Sequence, residues 1–258
     1  MKLRYISGAL AALCLAGPVA AQTLEVGAYP SNPPWEFKNE QSEFEGFEID
    51  LVREIGERMG REVNIQDLGF QALFAATASG RIDMAISTIT ITPERLENQA
   101  FTQPYYDSDL GLVTSQDDVE TVEDLEGRPV GALASSTGET WINANSEEYG
   151  FGDYRSYTTQ QNLLLDVANG RVAAGIGDIL GFEFAAEQMP QIRVADRIQT
   201  GEQFAIMMPQ GSDLLEDVNA AITEIKEDGT LAEIYARWLE SEPAEGTSSV
   251  TVMPIPGQ

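Results

Sequence analysis

The stretch ASGRIDMAIST, residues 78–88, has a partial copy later in the chain, ANGRVAAGIGD, residues 168–178. The two align without a gap. Each ends a helical pattern at glycine, passes an arginine and enters an apolar strand. Chance is one explanation, because such junctions are common where helices and strands alternate. The other is two similar α/β lobes, which would place Thr88 and Asp178 at equivalent strand ends. Ligands in open α/β sheets bind beyond those ends, so facing lobes would bring both residues to one cleft.

Strand and helix patterns alternate around this repeat. Residues 23–29, TLEVGAY, predict a strand, and residues 46–60, GFEIDLVREIGERMG, predict an amphipathic helix that ends at glycine. The alternation favours parallel sheets with helices on both faces. Two β-rich runs, residues 109–115 and 202–209, would join the lobes.

These patterns predict an α/β fold of two lobes joined by a two-strand hinge, with the ligand cleft between them. Two helices separated by Gly229 would pack back on lobe one, and a Pro-, Gly- and Ser-rich end reads as a flexible tail. The predicted divisions are a signal peptide at 1–21, lobe one at 22–110 and 205–240, lobe two at 111–204, and the tail at 241–258.

The first residues have the layout of a secretory signal peptide. Lys2 and Arg4 precede an apolar stretch over residues 6–16, and small residues precede a predicted cleavage site before Gln22. A membrane anchor is the competing interpretation, but a membrane-spanning helix needs about 20 apolar residues. We therefore expect export to the periplasm as a soluble protein of 237 residues.

Composition excludes several kinds of chemistry. The mature chain would hold 13 basic and 42 acidic residues, a net charge of −29, so it offers no basic patch for nucleic acid. The chain has no histidine, and its one cysteine, Cys14, lies in the signal, so triads and metal sites that need histidine are ruled out. Lys38 and Lys226, the two mature lysines, do not fit a buried Schiff-base lysine. Carboxylate catalysis and binding without chemistry remain, and we expect no cofactor and no metal.

Arg95 places a positive charge in the first turn of a predicted helix, where the helix dipole disfavours it. In STITITPER, residues 87–95, Thr92 and Pro93 predict a helix start and place Arg95 in the first turn, against the helix dipole. The planar guanidinium suits a carboxylate in two-point contact. The alternative is a surface ion pair with a neighbouring glutamate, which would contribute little. Hydroxyls that could assist belong to Ser87, Thr88 and Thr90.

Asp178 is the complementary candidate, because its carboxylate could accept an ammonium group. Its alternative role is an ordinary N-cap for the helix predicted over residues 179–189. A guanidinium that faces a carboxylate across a cleft describes a site for an α-amino acid.

Other candidates carry two interpretations each. Ser136 and Thr137 precede a predicted helix, whose free N–H groups could bind an anion, or Ser136 forms a plain capping box with Glu139. Aromatic residues near the strand ends would stack on a ligand or belong to the core. The residues in question are Tyr29 and Trp35, in the proline-rich loop that also holds Asn32, and Phe70.

Taken in order, several segments resemble the polar amino acid-binding proteins of ABC transporters, the bacterial extracellular solute-binding proteins of family 3. The resemblance covers residues 23–239. Any one segment alone is a weak signal, and their order and spacing make it strong. The segments are PPWEF, GFEIDLVREIGERMG, SGRIDMAISTITITPER, FTQPYYDS, VEDLEGRPVGALASSTGE, NGRVAAGIGD and KEDGTLAEIYARW.

The resemblance implies a type II periplasmic binding protein-like fold and a role for each matching position. It gives the ligand carboxylate to Arg95, helped by Thr90, Ser136 and Thr137. It gives the ammonium to Asp178, with Ser87 or Thr88 contributing. Phe70 would form an apolar wall, and the loop with Tyr29 and Asn32 would read the ligand side chain. The family usually has an aromatic residue at position 32, so one face of the usual aromatic sandwich is missing here.

The implied mechanism is hinge closure over an amino acid, followed by delivery to a permease in the inner membrane. We expect a monomer whose site charges stay poorly satisfied without ligand, which would favour the open state. The negative field favours polar neutral or basic amino acids over acidic ones. The competing functions are a periplasmic cyclohexadienyl or arogenate dehydratase-like enzyme, with Glu36, Glu139 or Asp178 as acid, and a sensory binding module.

Overall fold

The computed structural model describes residues 23–257, so the predicted signal peptide lies outside the described residues. Its strands are β1 Leu24–Ala28, β2 Ser31–Asn32, β3 Glu36–Lys38, β4 Phe44–Glu45, β5 Val63–Asp67, β6 Met84–Ala85, β7 Gln99–Phe101, β8 Tyr106–Thr114, β9 Val130–Leu133, β10 Tyr154–Tyr157, β11 Ala174–Asp178, β12 Arg193–Phe204 and β13 Met207–Pro209. Its helices are α1 Phe47–Met59, α2 Phe70–Ala78, α3 Pro93–Leu96, α4 Thr137–Tyr149, α5 Gln160–Ala168, α6 Ile179–Gln188, α7 Leu215–Glu227 and α8 Thr230–Leu239, with a 3-10 turn at Val122–Leu125.

Two five-stranded sheets form the centres of the lobes. Lobe one has the order β5-β1-β6-β13-β7, and lobe two has the order β10-β9-β11-β8-β12. In each sheet the first three strands are parallel and the last two pair antiparallel. The lobes therefore share one strand order and one set of strand directions. Both sheets are mixed, so the parallel pairing predicted from the alternating pattern is correct only for the first three strands of each sheet.

The partial repeat occupies equivalent places in the two sheets. Strand β6 is third in lobe one and β11 is third in lobe two. Each strand follows a helix whose exit glycine is left-handed: Gly80 and Gly170 both have φ of 67°. Glycine adopts this conformation without steric cost. The same backbone geometry therefore explains why glycine precedes arginine at this junction in both lobes. The ends of β6 and β11 consequently lie at corresponding edges.

Two strands connect the lobes. Strand β8 pairs antiparallel with β12, and the pairing continues through Ser108 with Glu202 to Tyr106 with Phe204. From there Thr90 of lobe one bridges to Phe204. This is the predicted two-strand hinge, and it places Glu202 between the lobes.

Lobe one contains the first helix and the last two helices of the described residues. The apolar face of α1, including Phe47, Leu51 and Ile55, is fully buried against the sheet and against α7 and α8. Helix α1 ends at Gly60, with φ of 62°, and Gly229, with φ of 88°, separates α7 from α8 as predicted.

Within residues 23–257, no helix is both long and apolar enough to span a membrane.

The C-terminal segment differs from the predicted loose tail. Ser248 and Ser249 are buried, and the Ser248 main-chain N–H donates to Asp107 of the hinge strand β8 at 2.7 Å. Gln203 of the other hinge strand donates to the Ser248 hydroxyl at 3.0 Å. The buried Lys226 ammonium donates to the Thr251 carbonyl at 3.0 Å. Composition predicted a loose segment because it does not register these individual hydrogen bonds.

The docked segment gives a prediction about stability. Replacing Ser248 with alanine removes hydroxyl hydrogen bonds to Asp107 and Gln203, so the free energy of unfolding should fall by about 1–2 kcal/mol. The matched control is Ser241→Ala, because Ser241 is exposed and should change stability by less than about 0.5 kcal/mol. Urea unfolding measures both variants. Equal, negligible losses would show that the Ser248 hydroxyl contributes nothing to the stability of the fold.

Candidate ligand-binding site

A small cavity lies between the lobes, with a volume of about 40 Å³. It is lined by nine of the ten predicted site residues. Such a space holds only a few water molecules, since one water needs ~10–15 Å³ of it. The lining residues are Tyr29, Asn32, Phe70, Thr88, Thr90, Arg95, Leu133, Ser136, Thr137, Gln160, Leu163, Ile176, Gly177, Asp178, Phe182, Glu202 and Phe204.

Arg95 reaches the cavity from the short helix α3. The Thr92 hydroxyl caps this helix by accepting from the Arg95 N–H at 3.2 Å, as the sequence predicts. The guanidinium donates to the Thr90 carbonyl at 2.7 Å and, across the cleft, to the Ser135 carbonyl at 3.0 Å. It also lies 5.0 Å from the Phe74 ring, and burial lowers the pKa of Arg95 to about 10. Arg95 is thus a cleft residue that touches both lobes, and these contacts are not those of a surface ion pair.

Asp178 ends β11 and faces the same cavity from lobe two. Its alternative role as an N-cap is present, because its carboxylate caps α6 by accepting from the Gly181 N–H at 2.9 Å. It accepts further hydrogen bonds from the Trp35 indole at 2.7 Å and the Ser108 hydroxyl at 3.1 Å. Burial raises the pKa of Asp178. The expectation of a poorly satisfied carboxylate is therefore wrong for Asp178, since the protein supplies three donors when the lobes are together.

Thr88 has an unusual backbone at the end of β6. Its φ is 46°, a left-handed value that is costly for a β-branched residue. The Glu48 carboxylate accepts from the Thr88 N–H at 2.7 Å, and Asn32 donates to the Thr88 hydroxyl at 3.3 Å. Its neighbour Ser87 is the one predicted site residue that does not line the cavity, because its buried hydroxyl donates to Glu36 behind the cleft.

The entrance to α4 combines capping with the site. The Ser136 hydroxyl accepts from the Glu139 N–H at 3.2 Å, and the Glu139 carboxylate accepts from the Ser135 N–H at 2.6 Å. Capping by Ser136 is therefore present, and Ser136 and Thr137 also line the cavity. Ser135 itself is left-handed, with φ of 65°, which turns its carbonyl oxygen toward Arg95.

The aromatic residues divide between wall and core. Tyr29 and Phe70 line the cavity and meet edge to face, with ring centroids 6.5 Å apart. Trp35 is fully buried in the lobe-one core.

Gln160, which the sequence analysis does not identify, connects the lobes. Its main-chain N–H donates to the Tyr29 hydroxyl and its side-chain amide donates to Asn32, both at 3.0 Å. The available signal was its position as the first residue of α5, directly after the capping Thr159.

Glu202 is the second missed residue and adds a third charge. It is 7% exposed, lies on the hinge strand β12 and lines the cavity. The Thr90 hydroxyl donates to its carboxylate at 3.1 Å, and Thr137 also hydrogen-bonds to it. Burial raises the pKa of Glu202, while the charge of nearby Arg95 opposes that rise. The pattern of residues 202–209, EQFAIMMP, predicts only a strand that crosses between the lobes and does not indicate a carboxylate in the site.

A wider groove of about 880 Å³ meets the cavity at Arg95, Thr137 and Glu202. Helices α3 and α4 provide much of its walls, one from each lobe. A larger space therefore lies directly beside the charged end of the cavity.

Two lobes, a two-strand hinge and a cavity between them that contains charged side chains define a ligand-binding protein of the type II periplasmic class. The chain belongs to the bacterial extracellular solute-binding proteins, family 3, because the sequence model of that family matches residues 24–241. It is 30% identical over 241 residues to ABC transporter arginine-binding protein 1 of Escherichia coli (strain K12), covering 91% of this chain and 98% of that protein.

Solved structures agree with this assignment. An ancestral arginine-binding protein bound to arginine is 31% identical, with a TM-score of 0.80, covering 85% of this chain and 99% of that one. The arginine-, lysine-, histidine-binding protein from Geobacillus stearothermophilus is 26% identical, with a TM-score of 0.79, covering 86% and 96%. The predicted family and fold are confirmed.

The enzyme alternative is not favoured. The relatives are named as binding proteins, in agreement with the prediction that the chain is not an enzyme. Of the three acids considered for a dehydratase, Glu36 does not line the cavity, Glu139 holds the Ser135 turn and Asp178 accepts three hydrogen bonds.

The left-handed turn beside Arg95 gives a prediction. Ser135→Gly should raise the free energy of unfolding by about 1 kcal/mol, because glycine adopts a positive φ without steric cost. The contact with Arg95 uses the main-chain carbonyl and should persist. Ser136→Ala, one residue on, should instead lower stability by about 1 kcal/mol through loss of the cap. Thermal or urea unfolding that moved both variants in the same direction would contradict the assigned geometry.

Proposed function

We propose that this protein is the periplasmic substrate-binding component of an ABC transporter and that it binds a cationic α-amino acid. The observation that carries the proposal is the placement of Arg95 and Asp178. They come from different lobes, carry opposite charges and line one cavity. A small zwitterion is the ligand that satisfies both groups at once.

The proposed contacts follow from the groups that face the cavity. Two N–H groups of the Arg95 guanidinium donate to main-chain carbonyls, and a guanidinium has five, so donors remain for a ligand carboxylate. Hydroxyls of Thr90, Ser136 and Thr137 lie on the same wall. Asp178, with Thr88, would take the ammonium group, since three donors leave part of the acceptor capacity of a carboxylate free.

Charge balance favours a ligand with a cationic side chain. Arg95 contributes one positive charge to the cavity, and Asp178 and Glu202 contribute two negative charges when ionised. A neutral amino acid would leave Glu202 without a counter-charge in the closed cleft, whereas buried charges need partners. A cationic amino acid makes the complex neutral. The arginine-binding relatives support the same ligand class.

Binding of such a ligand requires the lobes to part. The cavity of about 40 Å³ is too small for an amino acid, so we infer opening about the hinge strands β8 and β12, followed by closure. The groove beside Glu202 would give a long side chain room. A membrane permease would then recognise the closed form. Export, a monomeric state and a transport role in preference to a sensory one stay predictions.

The carboxylate contact is tested by Arg95→Ala. We expect loss of detectable L-arginine binding by calorimetry, because the ligand carboxylate would be buried without a counter-charge. Arg193→Ala is the matched control: Arg193 lies outside the cavity and should leave affinity within about twofold. Unchanged affinity in Arg95→Ala would refute the role.

The cationic preference is tested by Glu202→Gln with two ligands of similar shape. L-arginine and L-citrulline differ in the charge of the side-chain terminus. The wild type should prefer arginine, and Glu202→Gln should weaken arginine about 10–100-fold, the worth of a charged hydrogen bond, with little change for citrulline. If the variant instead bound both ligands more tightly, Glu202 would be a competitor for the carboxylate position, and its role in reading a cation would be excluded.

A further inference from the structure

Two glutamates lie behind the cleft. Glu36 of β3 and Glu48 of α1 are both 0% exposed, and neither lines the cavity. They contact the Ser87–Thr88 segment from the core side: Ser87 donates to Glu36, and the Thr88 N–H donates to Glu48 at 2.7 Å. A buried pair of carboxyls thus supports the segment that faces the cavity.

The hydrogen bonds use one oxygen of each carboxyl. Glu36 Oε1 accepts from Ser87, and Glu48 Oε1 accepts from the Thr88 N–H and from the Tyr105 hydroxyl. The second oxygens, Oε2 of Glu36 and Oε2 of Glu48, are buried without a donor from any residue in the described part of the chain. The two carboxyls are near enough for each to influence the pKa of the other through a side-chain hydrogen bond. One proton shared between the carboxyls would supply a donor that these residues otherwise lack.

The surroundings disfavour ionisation of both glutamates. The groups that act on the pair are Asp178, Tyr105 and Tyr29, which are acidic or neutral. Burial and the neighbouring carboxylate raise the pKa of Glu36 well above its usual range, and burial raises the pKa of Glu48. Two like charges in contact in a fully buried place are strongly unfavourable, so one proton is retained.

The pair acts on a strained turn. Thr88 has φ of 46°, and a non-glycine residue keeps such a conformation only when surrounding contacts determine it. Glu48 holds the Thr88 N–H and Glu36 holds the Ser87 hydroxyl, so both contacts come from the carboxyl pair. Movement of the carboxyls apart would release the turn.

We propose that Glu36 and Glu48 are positioning residues: one proton shared between their carboxyls fixes the Ser87–Thr88 turn in the shape that binds the ligand's ammonium group. The part of this inference that concerns ligand rests on the proposed function. The shared proton and the fixed turn do not, and they are testable in the protein without ligand.

Amide substitutions test the number of protons. In Glu36→Gln or Glu48→Gln, the amide oxygen takes over the existing acceptor role and the amide N–H₂ donates to the other carboxylate, as the shared proton does. Each single variant should fold with an unfolding temperature close to that of the wild type. In the double variant two N–H₂ groups would face each other, so it should unfold at least about 5 °C below either single variant. A double variant as stable as the singles would overturn the proposal.

Infrared spectroscopy tests the proton directly, again without ligand. The wild type at pH 8 should show the carbonyl stretch of a protonated carboxylic acid, and each single amide variant should lose it. Gln41→Glu, at an exposed turn, should leave this band unchanged. Absence of the band in the wild type, or its persistence in both single variants, would contradict a shared proton.

The pH dependence of L-arginine affinity links the pair to binding. Above the pH at which the shared proton leaves, the wild type should bind more weakly relative to Glu36→Gln, whose amide proton cannot dissociate. The affinity ratio of the two proteins should therefore shift by tenfold or more on the alkaline side, because repulsion loosens the turn. A constant ratio would show that the pair does not position the site. If neither protein bound arginine while the infrared band behaved as expected, only the proposed function would fail.

Discussion

The structure depends on one constraint: opposite charges held on separate lobes must be partnered when the lobes close. Arg95 and Asp178 reach one cavity because Asp178 ends the third strand of lobe two, Arg95 lies in the helix after the third strand of lobe one, and the two sheets share one strand order. The hinge strands β8 and β12 determine how these edges face each other. An ammonium and a carboxylate on one small molecule would complement this arrangement, which is why we propose an amino acid as the ligand.

The closed cleft already has contacts of its own. Trp35 donates to Asp178, Arg95 donates to the Ser135 carbonyl and Gln160 donates to Asn32, and each of these joins the two lobes. A ligand would therefore replace some protein–protein contacts in addition to satisfying charges. The measured affinity depends on the free energies of three states: open, closed without ligand and closed with ligand. Stronger contacts between the lobes in the closed, ligand-free state therefore change the binding constant.

Much of the fold was predictable because it depends on local patterns. The helix at α1, the start of α3 at Thr92 and the equivalence of β6 and β11 follow from periodicity, capping and the Gly80 and Gly170 junctions. Arg95 and Asp178, which are predicted to bind the carboxylate and the ammonium group of a ligand, both line the cavity.

The remainder depends on contacts between distant segments. Ser87 turns away from the cavity because Glu36, 51 residues earlier, accepts its hydroxyl. Glu202 enters the site because the crossing strand β12 passes between the lobes. The C-terminal segment docks through individual bonds to Asp107 and Lys226, which a Pro-, Gly- and Ser-rich composition does not reveal. Periodicity and spacing carry no information about such pairings.

The most direct test of the opposed charges removes them from the ligand and leaves the protein intact. Calorimetric titration would compare L-arginine with agmatine, which lacks the carboxylate, and with Nα-acetyl-L-arginine, which lacks the ammonium charge. Each loss should weaken binding by about 100-fold or more, since each would leave Arg95 or Asp178 buried without its ligand partner. Agmatine or acetylarginine binding as tightly as arginine would contradict the account.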